Sequence, residues 1–207
     1  MVLLAPLDPV RHATSLYEGS HGNGREQLWR YLFEGPFPDR AAFDAYLMQK
    51  AVSEDPLFFA IIDKRSGLAC GHTAYLRITP GHRVIEVGSI LFTAHLQKTP
   101  GATEAMYLMA RHAFEDLGYR RYEWKCDARN APSRRAALRL GFQFEGIFRQ
   151  HMIVKGANRD TAWFAMLDSE WPDRKANFER WLDPANFDLN GYQKLSLSAL
   201  NSPSDRR

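Results

Sequence analysis

Three short runs rich in Ile, Phe, Leu, Val and Thr, at 57–62, 69–78 and 84–93, follow one another with only Arg65-Ser66-Gly67 and Pro80-Gly81 as punctuation. Connections that short join antiparallel neighbours, because a parallel pair needs a crossover of about a dozen residues or more. The next connection is of the longer kind. After Pro100-Gly101, the residues Ala102, Met106, Met109, Ala113 and Leu117 recur at helical spacing, with Glu104, Arg111 and Glu115 on the other face. Gly118 supplies a stop, and YRRYEWKC (119–126) alternates as a strand. An antiparallel run therefore meets one strand–helix–strand crossover at 83–126, which restricts the chain to an α+β or mixed α/β sheet.

The flanks read in the same terms. A short opening strand leads to Asp8-Pro9, which starts a helix, and the clustered apolar residues of LWRYLF (28–33) predict more helix, ended by Gly35-Pro36. Asp39 caps a further helix carrying Ala42, Phe43, Tyr46, Leu47 and Ala51 on one stripe, closed by Pro56. Downstream, 130–140 reads as a short helix stopped by Gly141, 142–154 and 160–167 as strands, and 170–182 as a last helix. Residues 1–183 form one domain in this reading. Residues 184–207, rich in Asn, Ser and Asp, are expected to be a loosely docked extension.

Composition removes other classes. At 207 residues the chain suits one large core, and no repeat or low-complexity tract appears. No apolar stretch approaches a membrane span, and the run in MVLLAPLDPVRH is short for a signal peptide, so a cytoplasmic protein with no membrane partner is expected. Two cysteines, Cys70 and Cys126, make neither a disulfide framework nor a four-thiolate zinc site. The seven histidines show no metal-binding spacing, so no metal is expected. A balance of 27 basic against 24 acidic residues, net +3, does not demand a nucleic-acid partner. Arg120, Arg121, Arg129, Arg134, Arg135 and Arg139 keep an RNA-binding reading open, but without a paired stacking-aromatic motif. Dinucleotide-binding, P-loop and nucleophile-elbow motifs are all missing from the sequence.

The strongest local signal is the junction VIEVGSILFTAHLQKTPGATEA, a strand entering a helix N-terminus. Unpaired N–H groups and the helix dipole favour an anion there, and Lys98 adds a cation. Thr99 suits the cap and Pro100 the first helical position, an arrangement that equally describes a well-capped helix with no ligand.

With this junction the wider pattern of the chain resembles the GNAT superfamily of acyl-CoA-dependent N-acetyltransferases, in particular its Rim-type (ribosomal-protein-acetyltransferase-like) branch. That family's pyrophosphate loop, Q/R-x-x-G-x-G/A followed in this branch by T-E-A, is matched at its ends by Gln97-Lys98-Thr99-Pro100-Gly101-Ala102-Thr103-Glu104-Ala105. Pro100 stands where the first glycine is usual and removes one N–H. Asn130-Ala131-Pro132-Ser133 matches N-x-x-S, Leu140-Gly141-Phe142 matches L-G-F, Phe144-Glu145-Gly146 with Arg149 matches F-E-G-x-x-R, and Glu170-Trp171 resembles the usual ending. The resemblance covers roughly residues 2–172. It implies a mostly antiparallel twisted sheet, flanked by helices, in which two parallel strands near 83–93 and 119–127 splay apart to admit the pantetheine of acetyl-CoA. It further implies that backbone groups around Leu91, Phe92 and Thr93 pair with the cofactor's amides. Gln97, Lys98, Thr99, Gly101, Ala102 and Thr103 would hold its pyrophosphate, and Asn130 its pantetheine arm. Gly88 either marks the bulge that opens the strands or serves packing. Arg134, Arg135 and Arg139 either reach an adenosine phosphate or form a solvated face.

Acetyl transfer to an amine requires a neutral amine, a stabilised oxyanion and a protonated leaving thiolate. Glu86, a carboxylate on a strand apolar on both faces, is the candidate base; the alternative is an ion pair with Arg77 or Arg83. By resemblance Ser133 lies near the cofactor sulfur as acid or relay, unless it only caps its helix; Tyr75, Tyr107 and Tyr122 are further phenolic candidates. Cys126 lacks a histidine at activating spacing, which disfavours an acyl-enzyme. For the acceptor, the resemblance sets 28–37 beside the cleft, where Trp29, Tyr31, Phe33 and Phe37 either wall the site or fill the core, and Glu34 and Asp39 can attract a cationic amine. The expected activity is acetylation of a primary amine, a protein N-terminus or a small molecule, by a monomer or homodimer. The alternative is an acyl-CoA-binding module without catalysis.

Overall fold

The computed structural model describes residues 1–202. Seven strands form one sheet in the order β1-β2-β3-β4-β5-β7-β6, comprising β1 (Val2–Pro6), β2 (Leu57–Asp63), β3 (Ala69–Thr79), β4 (Val84–Phe92), β5 (Arg121–Asp127), β6 (Gln143–Val154) and β7 (Ala157–Leu167). Every neighbouring pair is antiparallel except β4 and β5. The crossover between those two strands is α3 (Pro100–Arg111), prolonged by a π-helical turn at His112–Asp116 and ended by Gly118 at φ +68°. The short connections thus gave hairpins and the long one gave the parallel pair.

Helices α1 (Pro9–Ser20) and α2 (Arg40–Ala51) start where Asp8 and Asp39 accept first-turn N–H groups. With a 3₁₀ turn at Glu26–Trp29 they cover one face of the sheet, burying Leu16, Trp29, Phe43 and Leu47 against Phe58, Ala60, Ala74 and Leu91. On the opposite face α3 and α5 (Trp171–Leu182) pack Met109, Ala105 and Phe178 against Ile85, Val87, Tyr122 and Phe164. Between β5 and β6 runs α4 (Ala131–Arg139), capped by Asn130.

Two expectations fail here. LWRYLF (28–33) is not an α-helix: only Glu26–Trp29 winds, as a 3₁₀ turn, because Trp29 turns inward and donates its indole N–H to the Ser20 carbonyl at 2.9 Å. The segment after 183 is not loosely docked. A short helix, α6 (Leu197–Asn201), buries Leu197 completely, and Asn201 hydrogen-bonds Arg174, Asn177 and the Arg139 carbonyl. The final five positions of that expected tail, 203–207, lie outside the described residues.

His72 sits fully buried in β3, near Tyr46 Oη at 3.4 Å, with Nδ1 unpaired, and burial pushes its pKa down to about 4. The unfolded chain takes up this proton first, near its ordinary 6.5. The histidine's contribution to stability is therefore complete above pH 6.5 and is lost as pH falls toward 4. Urea unfolding at pH 7 and pH 4 is expected to differ by about 3 kcal/mol from this group, and His72→Asn to remove that part of the difference.

Candidate active site

The parallel register of β4 and β5 runs from Val84↔Arg121 to Val87↔Trp124 and then stops. β4 continues to Phe92 and β5 to Asp127, so the two strands diverge beyond Val87 and Trp124. The cause lies on the other edge of β4. Between Ala74↔Gly88 and His72↔Leu91 that strand carries one extra residue, a bulge with Ser89 at φ +48°. A Cβ at Gly88 meets Leu76 Cδ1 at 3.0 Å, so a side chain there crowds Leu76 of β3. The bulge also exchanges the faces of the strand. Leu91 joins the α1/α2 core, whereas Ile90 and Phe92 join Ile85 and Val87 on the α3 side.

The divergence opens a cleft of about 1410 Å³ that passes through the sheet. Small-molecule sites typically hold roughly 300–1,000 Å³, so this space accommodates an extended ligand and a second reactant together. On the α3 side it is lined by Gln97, Lys98, Thr99, Ala102 and Thr103, by Asn130 and Ser133 of α4, and by Arg135 and Arg139. Thr99 caps α3 by accepting the Ala102 N–H, and Pro100 has no N–H, so two of the first three helical residues offer no free donor. Cationic side chains supplement them. Arg139, partly buried, hydrogen-bonds Thr103 Oγ1 at 3.0 Å and lies 4.7 Å from the Trp181 ring centre, with no carboxylate partner among the described residues. An uncompensated guanidinium, Lys98 and Arg135 along one wall form a donor set that fits the phosphates of coenzyme A. The C-terminal segment adds Phe187, Tyr192 and Gln193 to this wall.

On the α1/α2 side stands Glu86, buried and in register with Glu123 of β5. Its Oε2 lies 2.8 Å from Arg77 Nη2 and 3.1 Å from Lys125 Nζ. Lys125, with a side chain only 5% exposed, also bonds Glu123 and sits 3.7 Å from the Trp163 ring centre. Burial raises Glu86 to about 7, against Arg77, which pulls it down; the Glu123 charge adds to the rise. Such a carboxyl gains and loses its proton near neutrality.

Ser133 stands on the far side of the gap. Trp124 Nε1 donates to its Oγ at 3.0 Å, and since an indole N–H only donates, the serine hydroxyl keeps its own proton to give. Its N–H is satisfied by Asn130 Oδ1 at 3.2 Å, so Asn130, not Ser133, caps the helix. Burial raises the Cys126 thiol, with Ser133 as a partner drawing it back, so this cysteine stays a protonated thiol.

Glu86, Phe92, Gln97, Lys98, Thr99, Ala102, Thr103, Asn130, Ser133 and Tyr31 thus share one cleft. Other expected site residues lie elsewhere. Leu91 is turned into the opposite core by the bulge, and Gly101 is buried where a Cβ meets Val2 Cγ1 at 3.1 Å. Thr93 spends its N–H and hydroxyl on the Cys70 carbonyl, while its own carbonyl accepts from Leu96 and Gln97. Phe92's carbonyl accepts from Gln97 Nε2 at 3.2 Å. Trp29 is fully buried, Phe37 packs edge-on against it, and both belong to the α1/α2 core. Glu34 pairs with Lys50 and Asp39 caps α2, so neither faces an incoming amine. Tyr75 donates to Met109 O, Tyr107 to Glu179, and Tyr122 is sealed in the core; none lines the cleft.

The residues that sequence reasoning missed are Lys125, Glu123 and Arg159. The first two were visible: in RYEWKCD, Arg121, Glu123, Lys125 and Asp127 alternate on one strand face, too much charge for a buried β5 without a polar purpose. Arg159, on β7, carries no such local signal.

A model of the acetyltransferase (GNAT) domain matches residues 2–143 of this chain. Among curated proteins, the uncharacterized N-acetyltransferase YnaD of Bacillus subtilis (strain 168) is 26% identical over 145 residues, 70% of this chain and 82% of its own length. Among solved structures, a GCN5-related N-acetyltransferase from Brucella melitensis is 51% identical with a TM-score of 0.94, covering 97% of this chain and 90% of that one. A GNAT-family chain from Chromobacterium violaceum ATCC 12472 is 44% identical with a TM-score of 0.77, covering 83% and 85%. The opened sheet and its two-sided cleft are thus those of an acyltransferase. The chain belongs to the GNAT family of acetyltransferases, which use acetyl-CoA as acyl donor. Among the described residues no helix is long and apolar enough to cross a membrane.

Proposed function

We propose that the protein moves acetyl from acetyl-CoA directly to a primary amine, a peptide N-terminus or a small molecule, in a ternary complex with no covalent enzyme intermediate. The observation that supports this reading best is the placement of two proton-handling groups across the β4/β5 gap, Glu86 on one face of the sheet and Ser133 on the other. Glu86, poised near pH 7, takes the proton of the attacking amine, and Ser133, held as a donor by Trp124, gives one to the departing sulfur. Lys98, Arg135 and Arg139 hold the phosphates of the donor, with Asn130 along its arm. Acetyl-CoA would supply the activated thioester; the chain aligns it and moves the protons. The motifs at 130–133, 140–142 and 144–149 favour the Rim-type branch, and two unpaired, buried cysteines suit work in the cytoplasm.

Release of thiol from acetyl-CoA in the presence of an amine panel tests the reading against a module that binds acyl-CoA without turnover. Ser133→Ala is expected to lower kcat about tenfold to a hundredfold while the calorimetric Kd for acetyl-CoA stays within about twofold. A large loss of affinity with kcat preserved makes Ser133 a binding residue instead.

A further inference from the structure

Arg159 is 7% exposed, and its Nε is buried without a hydrogen-bond partner. Among the described residues its side chain forms no ion pair within 4 Å and donates no hydrogen bond; the face of Phe33 lies 4.9 Å from the guanidinium carbon, and Asp127 and Glu86 attract it only through space. The carboxylate it could have used is taken, because Asp127 is gripped by Arg129 through Oδ1 at 3.1 Å and Oδ2 at 2.9 Å. Burying a guanidinium with neither hydrogen bonds nor a salt bridge is costly, and chains rarely do it unless something else supplies the anion.

Its place in the sheet says where that anion arrives. Lys125 pairs in register with Trp163 and Asp127 with Thr161, so Arg159, two residues before Thr161, lies on the same face of the sheet as Lys125. Glu86 reaches Lys125 from that face, and Arg159 lines the cleft beside it, with Tyr31, Phe33 and Met152 adjoining. This is the face opposite α3, so the phosphates of the acyl donor, assigned to Lys98, Arg135 and Arg139, are on the other side of the gap. The lining charges on the Glu86 face are Arg30, Arg77, Lys125 and Arg159 against Glu86 and Asp127, and with Glu123 behind Lys125 counted as well a surplus of one cation remains. A polycationic amine meets repulsion there; an amine that brings its own negative group does not.

We propose that Arg159 is the specificity residue for the acceptor, and that the acceptor is an amine also bearing a carboxylate or phosphate, whose anionic oxygens take the vacant donors of Arg159 while its nitrogen faces Glu86. The proposal rests on the transferase reading and names the substrate class for that same site.

Calorimetric titration of the CoA-saturated protein with β-alanine, O-phosphoethanolamine, propylamine and spermidine tests it. Binding of one or both anionic amines at least about tenfold tighter than propylamine, with spermidine weakest, is the expected order, since hydrogen bonds to charged groups contribute that much. The two anionic amines distinguish carboxylate from phosphate. Arg159→Gln is expected to erase the preference, Arg159→Lys to keep part of it, and the Kd for CoA to be unchanged in both. Equal binding of all four, no binding of any, or tightest binding of spermidine overturns the proposal, and the panel on the unaltered protein decides this even where a variant does not fold. A protein that binds CoA and acetylates propylamine or spermidine best remains a transferase without the anionic acceptor; one that does not bind CoA loses the transferase reading as well.

Discussion

Glu86→Gln is expected to lower kcat for acetyl transfer about a hundredfold at pH 7.5 and to change the shape of the pH profile. In the unaltered protein the rate is expected to rise with pH as the Glu86 carboxyl, lifted to about 7 by burial, loses its proton and becomes able to accept one from the amine. Below that value the rate falls about tenfold per unit, a limb that glutamine cannot titrate. What remains in the variant is the slower rise set by the amine's own deprotonation, near 8 for an α-amine and near 10 for a lysine-type amine. Steady-state thiol release between pH 5.5 and 9.5, at saturating acetyl-CoA, separates the two limbs. Persistence of the lower limb in Glu86→Gln removes Glu86 from the role and returns it to the alternative of an ion-paired structural residue, with Arg77 as the partner.

Trp29→Ala is expected to destabilise the fold by about 3–5 kcal/mol, among the largest losses any single truncation here can cause. The indole is fully buried, meets Phe37, Phe43 and Tyr46 edge-on, and satisfies the Ser20 carbonyl. Gly35 packs so closely on it that a Cβ there comes within 2.4 Å of the ring. A residue that walls the acceptor site would show the reverse pattern, a raised KM with stability nearly intact. Urea unfolding midpoints for Trp29→Ala beside Tyr31→Ala make the comparison, since Tyr31 lines the cleft and is only half-buried.

The fates of these aromatic residues show how far a sequence carries. LWRYLF has the composition of a helix face, yet whether each ring enters the core or the cleft depends on how the segment crosses α1 and α2, which no local pattern encodes. Glu86 was conspicuous in the sequence because a carboxylate in an apolar strand has to be compensated. Of its compensators, Arg77 on β3 was already a candidate partner, whereas Lys125 on β5 is brought to it only by strand pairing. Reading VIEVGSILF as uninterrupted alternation puts Leu91 with Ile85 and Val87. The bulge at Gly88–Ser89 moves it to the other face, because one extra residue inverts every later side chain. The tail escaped notice for a similar reason: its polar composition hides Leu197 and Asn201, which acquire partners only once α4 and α5 are assembled.

The sequence by itself determined the order of the strands, the single parallel crossover, the helix starts at Asp8, Asp39 and Thr99, and the family motifs from Gln97 to Arg149. These depend on neighbours a few residues apart, where periodicity and turn chemistry act directly. Tertiary structure alone decided that β4 and β5 separate after Val87 and Trp124, and that Glu86 and Ser133 line one cleft from opposite faces of the sheet. It alone left the buried Arg159 Nε without a hydrogen-bond partner on the Glu86 face of the cleft. Those features depend on residues more than thirty positions apart, and only the closed sheet, with its bulge and its packed faces, fixes the distances between them.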